Sequence, residues 1–78
     1  MTTVDAIARD QLPEGWIEAR REVIQREGYA LRAGDGATIE IKSLTTNEWL
    51  RLALLDKATA FTTEAERDVV LELLTGEI

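Results

Sequence analysis

The strongest local pattern in this chain of 78 residues is a hexapeptide, Leu44-Thr45-Thr46-Asn47-Glu48-Trp49. Thr45 has a side chain suited to the N-cap of a helix, and Glu48 can bond back to the cap's own N–H, which makes a capping box. Leu44 and Trp49 have the spacing of a hydrophobic staple, the apolar contact that accompanies such caps. The hexapeptide therefore predicts that an extended segment ends at Leu44 and that a helix begins after Thr45.

The helix predicted after Thr45 would be apolar around most of its circumference. Its apolar positions are Trp49, Leu50, Leu52, Ala53, Leu54 and Leu55. A helix of this kind is either central in a protein or used at an interface. We therefore predict that part of the Glu48–Leu55 helix binds a partner or a second copy of the chain, and the predicted partner-binding residues are Trp49, Leu50, Leu54 and Leu71. The alternative is that the N-terminal and C-terminal helices together cover this face.

Upstream of the hexapeptide, apolar residues recur at period two, as in β-strands. The two alternating runs are residues 29–33 and 38–42, and Gly34-Asp35-Gly36 between them offers the positive φ angles of a tight turn. This pattern predicts an antiparallel hairpin with one apolar face. Since a two-stranded hairpin is not stable by itself in water, that face must pack on helices.

Three other segments have the spacing of amphipathic helices. The first comprises residues 4–12, with Thr2 or Thr3 as its predicted cap, and is ended by a proline. The second, Trp16–Glu27, is followed by Gly28 at a left-handed stop position. The last begins at a second capping box, formed by Thr63 and Glu66. Its apolar stripe consists of Ala65, Val69, Val70, Leu73 and Leu74. Together the segments predict an α+β fold with three to four short helices packed on one antiparallel β-hairpin, and residues 1–78 are predicted to form a single small domain.

The composition argues against common catalytic and metal-binding chemistry. The chain has no cysteine and no histidine, and therefore lacks the commonest general base and the usual zinc and copper ligands. It also lacks a GxxxxGK[ST] phosphate loop, a GxGxxG turn and the alternating acidic spacing of a calcium loop. We therefore predict a protein that is not an enzyme, with no cofactor, no metal and no small-molecule substrate.

The charge of the chain disfavours polyanionic partners and suits either solubility or a basic protein partner. Fifteen acidic and nine basic residues give a net charge of −6, which disfavours direct binding to nucleic acid or to anionic membranes. No apolar run is long enough to span a membrane, and the N-terminal residues lack the pattern of a signal peptide. We predict a cytoplasmic, non-catalytic module that binds a protein or a second copy of itself. An acidic inhibitor that mimics nucleic acid and blocks a basic host protein is the alternative, and it requires carboxylates in rows over one surface.

One part of the chain resembles the small head–tail joining proteins of the lambda W type found in tailed phages. The residues that carry the resemblance are Tyr29-Ala-Leu-Arg-Ala-Gly-Asp-Gly36, then Ile39-Glu-Ile41, then Thr45-Thr-Asn-Glu-Trp49. The resemblance covers about Trp16 to Leu55, roughly half of the chain, although this chain is acidic and continues into another helix. It implies an assembly adaptor without catalytic residues.

A second interpretation treats residues 38–75 as a strand followed by two helices, which resembles a ribbon–helix–helix repressor or antitoxin. That family binds DNA as a dimer whose paired strands enter the major groove. Carried over to this chain, the resemblance implies Thr38, Glu40 and Lys42 as the base-reading positions. Glu40 is poorly suited to face a polyanion, and the glycine usual between the helices is absent from 56–62.

Overall fold

The computed structural model of the protein describes residues 5–76, which form two α-helices and five short strands. In chain order the elements are β1 (Asp5–Ile7), a 3-10 turn (Arg9–Gln11), α1 (Trp16–Glu27), β2 (Ala30–Ala33), β3 (Ile39–Lys42), β4 (Leu50–Arg51), β5 (Ala58–Phe61) and α2 (Glu64–Thr75). Strands β2, β3 and β4 form an antiparallel sheet in that order, and β1 pairs with β5 in parallel. No helix within these residues is long and apolar enough to cross a membrane.

One hydrophobic cluster lies between the helices and the two sheets. Its buried members are Trp16, Ile24, Ile39, Leu52, Leu54, Ala58, Phe61, Val70 and Leu74. Both α-helices and strands β3 and β5 contribute to it, and Ile7 of β1 and Leu31 of β2 pack against the cluster. The described residues therefore share a single core.

The predictions for α1 and for the β2–β3 hairpin are confirmed. Helix α1 has the predicted bounds, and Gly28 ends it in the left-handed conformation, with its N–H bonded to the carbonyl of Ile24. In the hairpin turn, Gly36 has a φ of 61°, whereas Gly34 is needed for space, because a Cβ there would lie 2.5 Å from Oγ1 of Thr38. The two glycines thus serve the turn for different reasons.

The prediction of a helix after Thr45 is wrong. Residues 44–45 form a turn, 46–49 have no regular structure, and Leu50–Arg51 is the edge strand β4. The backbone stays extended after β4, since the N–H of Leu52 donates to the carbonyl of Ile39. Side chains consequently alternate between core and solvent, with Leu52 buried and Ala53 exposed.

The prediction of an N-terminal helix is wrong as well, and so is the predicted overall arrangement. Asp5–Ile7 is a strand and only a short 3-10 turn follows it; the predicted cap, Thr2 or Thr3, and Val4 lie outside the described residues. The α+β class is correct, but three to four helices on one hairpin is contradicted by two helices, a three-stranded antiparallel sheet and a parallel pair. The ribbon–helix–helix alternative is also wrong, because β3 pairs with β2 and β4 of the same chain.

The N-terminus of α2 is capped largely as predicted. The hydroxyl of Thr63 accepts a hydrogen bond from the N–H of Glu66 at 3.1 Å, which is the expected N-cap contact. The carboxylate of Glu66 does not return to the cap. It accepts instead from the hydroxyl of Thr62 and from the N–H of Arg9, and so holds the 3-10 turn against α2.

A buried arginine joins α2 to the hairpin turn. The Nη1 atom of Arg67 donates to the carbonyl oxygens of Gly34, Gly36 and Thr38 at 3.0–3.1 Å, and Nε contacts Asp68 at 2.6 Å. The side chain of Arg67 is almost fully buried, whereas that of Asp68 is exposed. The guanidinium therefore satisfies the carbonyl groups of Gly34 and Gly36, which have no backbone partner within the described residues, and adds a second donor to the carbonyl of Thr38, which already accepts from the N–H of Gly34.

Candidate functional site

The three-stranded sheet has an apolar face and a charged face. Residues paired directly across the strands share a face, and the register aligns Leu31, Ile41 and Leu50 on one side. The neighbouring row of Arg32, Glu40 and Arg51 lies on the other side. Consecutive residues at this end of the sheet therefore contribute to opposite faces, one of them apolar and the other charged.

The apolar face continues past the core into an open cleft, which we call the Leu50 cleft. It has a volume of about 290 Å³ and is lined by Tyr29, Ile41, Ser43, Thr46, Glu48 and Leu50. Leu50 is 57% exposed, and Leu44, which is 79% exposed, follows one of its lining residues in the chain. A cleft of this size lies at the lower limit of small-molecule pockets, and its exposed leucine suits a side chain from another protein.

The opposite side of the sheet, which we call the cationic face, consists of Arg32, Glu40, Lys42, Trp49 and Arg51. The guanidinium of Arg32 lies 4.1 Å from the centroid of the Trp49 ring, and the ammonium of Lys42 lies 5.2 Å from it. Arg32 also pairs with Glu40 at 2.6 Å. None of the ion pairs found within residues 5–76 includes Lys42 or Arg51. The face thus carries three cations against one carboxylate in a chain whose net charge is −6.

Strand β4 is an edge of the sheet, with backbone groups directed away from β3. The bond from Leu52 N–H to the Ile39 carbonyl marks these residues as a hydrogen-bonded pair. Bonded and non-bonded pairs alternate in an antiparallel ladder, so Arg51 opposite Glu40 is a non-bonded pair. The N–H and C=O of Arg51 therefore point outward, and within the described part of the chain no backbone group bonds to them.

The four predicted partner-binding residues are separated by the fold. Leu50 lies at the mouth of the cleft, and Trp49 is half-buried on the cationic face. Leu71 is half-buried and packs against the core. Leu54 is 2% exposed, so the expectation that its side chain is free for a partner is wrong. The predicted helical spacing placed Trp49, Leu50 and Leu54 on one helix, whereas the extended backbone directs neighbouring side chains to opposite faces.

Tyr29, Ile41, Arg32 and Arg51 belong to the two surfaces and were absent from the predicted set. A signal for part of this arrangement exists in the sequence, because leucines at 50, 52 and 54 are two residues apart, the period of a half-buried strand. The contribution of Tyr29 and Ile41 depends on the pairing of β3 with β4, which no local pattern indicates.

Other parts of the surface offer less specific chemistry. A cleft of about 400 Å³ between the 3-10 turn and α2 is lined by charged side chains of Arg9, Asp10 and Glu66 as well as small apolar ones. In residues 5–76 no group of three or more acidic, histidine or cysteine side chains is placed to hold a metal ion. Comparisons with protein-family models, curated proteins and solved structures found no match to this chain.

The phage resemblance therefore has no support from relatives, and nothing among these comparisons tests it. One of its three parts has changed, since residues 45–49 are not helical. The hairpin part, Tyr29–Gly36 with Ile39–Ile41, retains the predicted form.

Proposed function

We propose that this protein is a non-catalytic module that binds a protein partner through the Leu50 cleft. The observation that carries the proposal is Leu50 itself, a large apolar side chain that is more than half exposed beside Tyr29 and Ile41. A few side chains that are buried in well-packed pockets supply most of the binding energy of many interfaces. The role we propose for such a module is an assembly adaptor of the phage type, acting in the cytoplasm.

The exposed apolar residues are unevenly distributed, which supports a dedicated surface. The large hydrophobic residues exposed within 5–76 are Leu44, Leu50 and Val69. The first two lie on the β3–β4 side of the molecule, whereas Val69 stands alone on α2 at 40% exposure. Single exposed apolar residues are ordinary, but Leu50 belongs to the lining of an apolar cleft, and Leu44 directly follows Ser43 of the same lining.

An acidic inhibitor is the second candidate, and a row of carboxylates on α2 favours it. Glu64, Asp68 and Glu72 follow one another at intervals of four residues, and all three are exposed. Four residues along a helix advance by about 6 Å, so these side chains form a line on one surface. A basic partner would approach this row, on an element separate from the Leu50 cleft.

Affinity capture with two matched variants tests the proposal. Wild-type, Leu50→Glu and Val69→Glu proteins are used as baits in lysate of the source cells, at low and at high salt. Retained proteins are identified by mass spectrometry and the complex is rebuilt from purified components. We expect a partner that survives high salt, is lost with Leu50→Glu and is retained with Val69→Glu, because apolar contacts are screened little by salt.

Two results would contradict the apolar proposal. A partner that dissociates at moderate salt, and is lost when Glu64, Asp68 and Glu72 are changed to glutamine, would support the acidic inhibitor. Equal retention by the Leu50→Glu and wild-type baits would remove the Leu50 cleft as the docking site. Circular dichroism of each bait shows beforehand that the substitution has left the fold intact.

A further inference from the structure

We infer that the partner segment binds as an added strand on β4 and that its sequence alternates apolar and acidic residues. This inference deepens the proposed function, because it assumes that the Leu50 cleft receives a protein partner. It names the chemistry of that partner: an extended stretch with apolar side chains on one face and carboxylates on the other.

The backbone of β4 supplies the pairing. The outward N–H and C=O of Arg51 form a donor and acceptor at the edge of the sheet, which is the arrangement that recruits an extended peptide. The other edge strand, β2, packs against α2, whereas within residues 5–76 the element that packs extensively against β4 is β3. The β4 edge is therefore the more accessible of the two for an incoming strand.

The side chains of β4 determine which sequence fits. A strand added beside β4 directs alternate side chains to the two faces of the sheet. Those on one face meet Leu50 and the cleft, which favours apolar residues. Those on the other face meet Arg51 and Lys42, cations without an ion-pair partner in residues 5–76, which favours Asp or Glu.

The same geometry disfavours the reverse charge pattern. A segment with basic residues at the alternate positions would place like charges beside Arg51 and Lys42. The aromatic ring of Trp49 is already in contact with Arg32 and Lys42, so it is not open to stacking on that side. An acidic-apolar segment therefore satisfies both faces at once, whereas a basic-apolar segment satisfies one.

Synthetic peptides test the inference on the intact protein. The probe is a capped peptide of about eight residues, the length of a long strand, that alternates Glu and Val. Three control peptides alternate Lys and Val, carry the Glu–Val composition in two blocks, or bear N-methyl groups on the backbone amides of one edge. Binding is followed by amide chemical shifts and by hydrogen exchange of the ¹⁵N-labelled protein.

We expect the Glu–Val peptide to change the amide chemical shifts of Leu50 and Arg51 and to slow hydrogen exchange at the Arg51 amide. We expect the three control peptides to bind at least tenfold more weakly. Arg51→Glu should weaken binding of the Glu–Val peptide by roughly tenfold, because it converts an attractive exposed pair into a repulsive one. Arg26→Glu makes the same change of charge on α1, where Arg26 is exposed, and should leave the affinity unchanged. Raised salt should weaken the complex by less than Arg51→Glu does, because it screens the exposed ion pairs and leaves the apolar contacts with the Leu50 cleft in place.

Equal binding of the Glu–Val and Lys–Val peptides, or shifts confined to other residues, would overturn the inference. Absence of binding by every peptide would overturn it as well, and would indicate that the short, charged β4 edge acts to prevent strand pairing. In either case a partner captured through Leu50 would still support the proposed function. Capture that fails while the Glu–Val peptide binds would instead count against the proposed function alone.

Discussion

Replacing Arg67 with methionine should destabilise the protein by about 2–4 kcal/mol, because the guanidinium joins α2 to the hairpin turn through backbone carbonyl groups. Methionine keeps most of the apolar stem of the side chain and removes the donors. The substitution therefore tests the hydrogen bonds with little change in the packing around them.

The magnitude follows from the burial of the three acceptors. Thr38 is buried, and its carbonyl oxygen would keep the hydrogen bond from the N–H of Gly34 but lose the charged donor, a loss of roughly 1.5–3 kcal/mol. The carbonyl of Gly36 belongs to an exposed residue and can be hydrated, whereas Gly34 is half-buried and lies between these cases. Removal of the guanidinium also relieves its own desolvation cost, which limits the total.

Urea unfolding followed by circular dichroism measures the effect. A domain of this length has a total stability of roughly 4–12 kcal/mol, so the variant should remain measurable or lie near the threshold. With an m-value of about 1 kcal/mol per molar, the midpoint should fall by about 2 M or more. Arg26→Met removes an exposed arginine from α1 and should change stability by less than about 0.5 kcal/mol. Equal midpoints for the Arg67 variant and the wild type would refute the reasoning.

Three further tests, which use five substitutions, examine the rest of the fold. Leu54→Glu should abolish the helical circular-dichroism signal, because burying the carboxylate costs several kcal/mol, whereas the exposed Leu50→Glu should preserve the signal. Loss of the signal in both variants would show that Leu50 belongs to the core. Thr63→Ala should lower the free energy of unfolding, measured in urea, by about 1 kcal/mol, because Thr63 caps a helix. Thr45→Ala should lower it by less than about 0.5 kcal/mol, because Thr45 caps no helix, and similar losses in the two variants would contradict the extended structure after residue 45. Gly36→Ala should lower stability by about 1 kcal/mol, because its φ is 61° while the space around it is open, and a melting temperature equal to that of the wild type would contradict this.

The sequence was sufficient where local chemistry alone decides the structure. Helix α1, its stop at Gly28, the β2–β3 hairpin and the Thr63 cap each depend on residues close in the chain. The hexapeptide misled because a capping box shows only that a helix could begin. The backbone of Leu52 pairs with Ile39 and that of Leu54 pairs with Ala58, and these pairings outweigh the local preference for a helix. They bury Leu52 and Leu54, while Ala53 between them faces solvent.

The candidate site was predicted in part for the same reason. Leu50 was identified from its apolar surroundings and does lie exposed at a cleft. Its neighbours across the sheet, Ile41 and Tyr29, are brought to it by long-range pairing, and the buried role of Arg67 depends on contacts about thirty residues away. Contacts of this kind have no signature in a single sequence.

The parallel pairing of β1 with β5 has a consequence for the order in which the chain folds. Ala33 and Ile39 meet across a short turn, whereas Asp5 and Ala58 are separated by most of the chain. Closing the longer loop costs roughly 2 kcal/mol more in chain entropy, so the hairpin can form early and the N-terminal strand joins near the end. In thermal fluctuations we expect the reverse order, with β1 the first strand to detach. The β1–β5 pair is therefore expected to form late in folding, after the sheet that carries the Leu50 cleft has assembled.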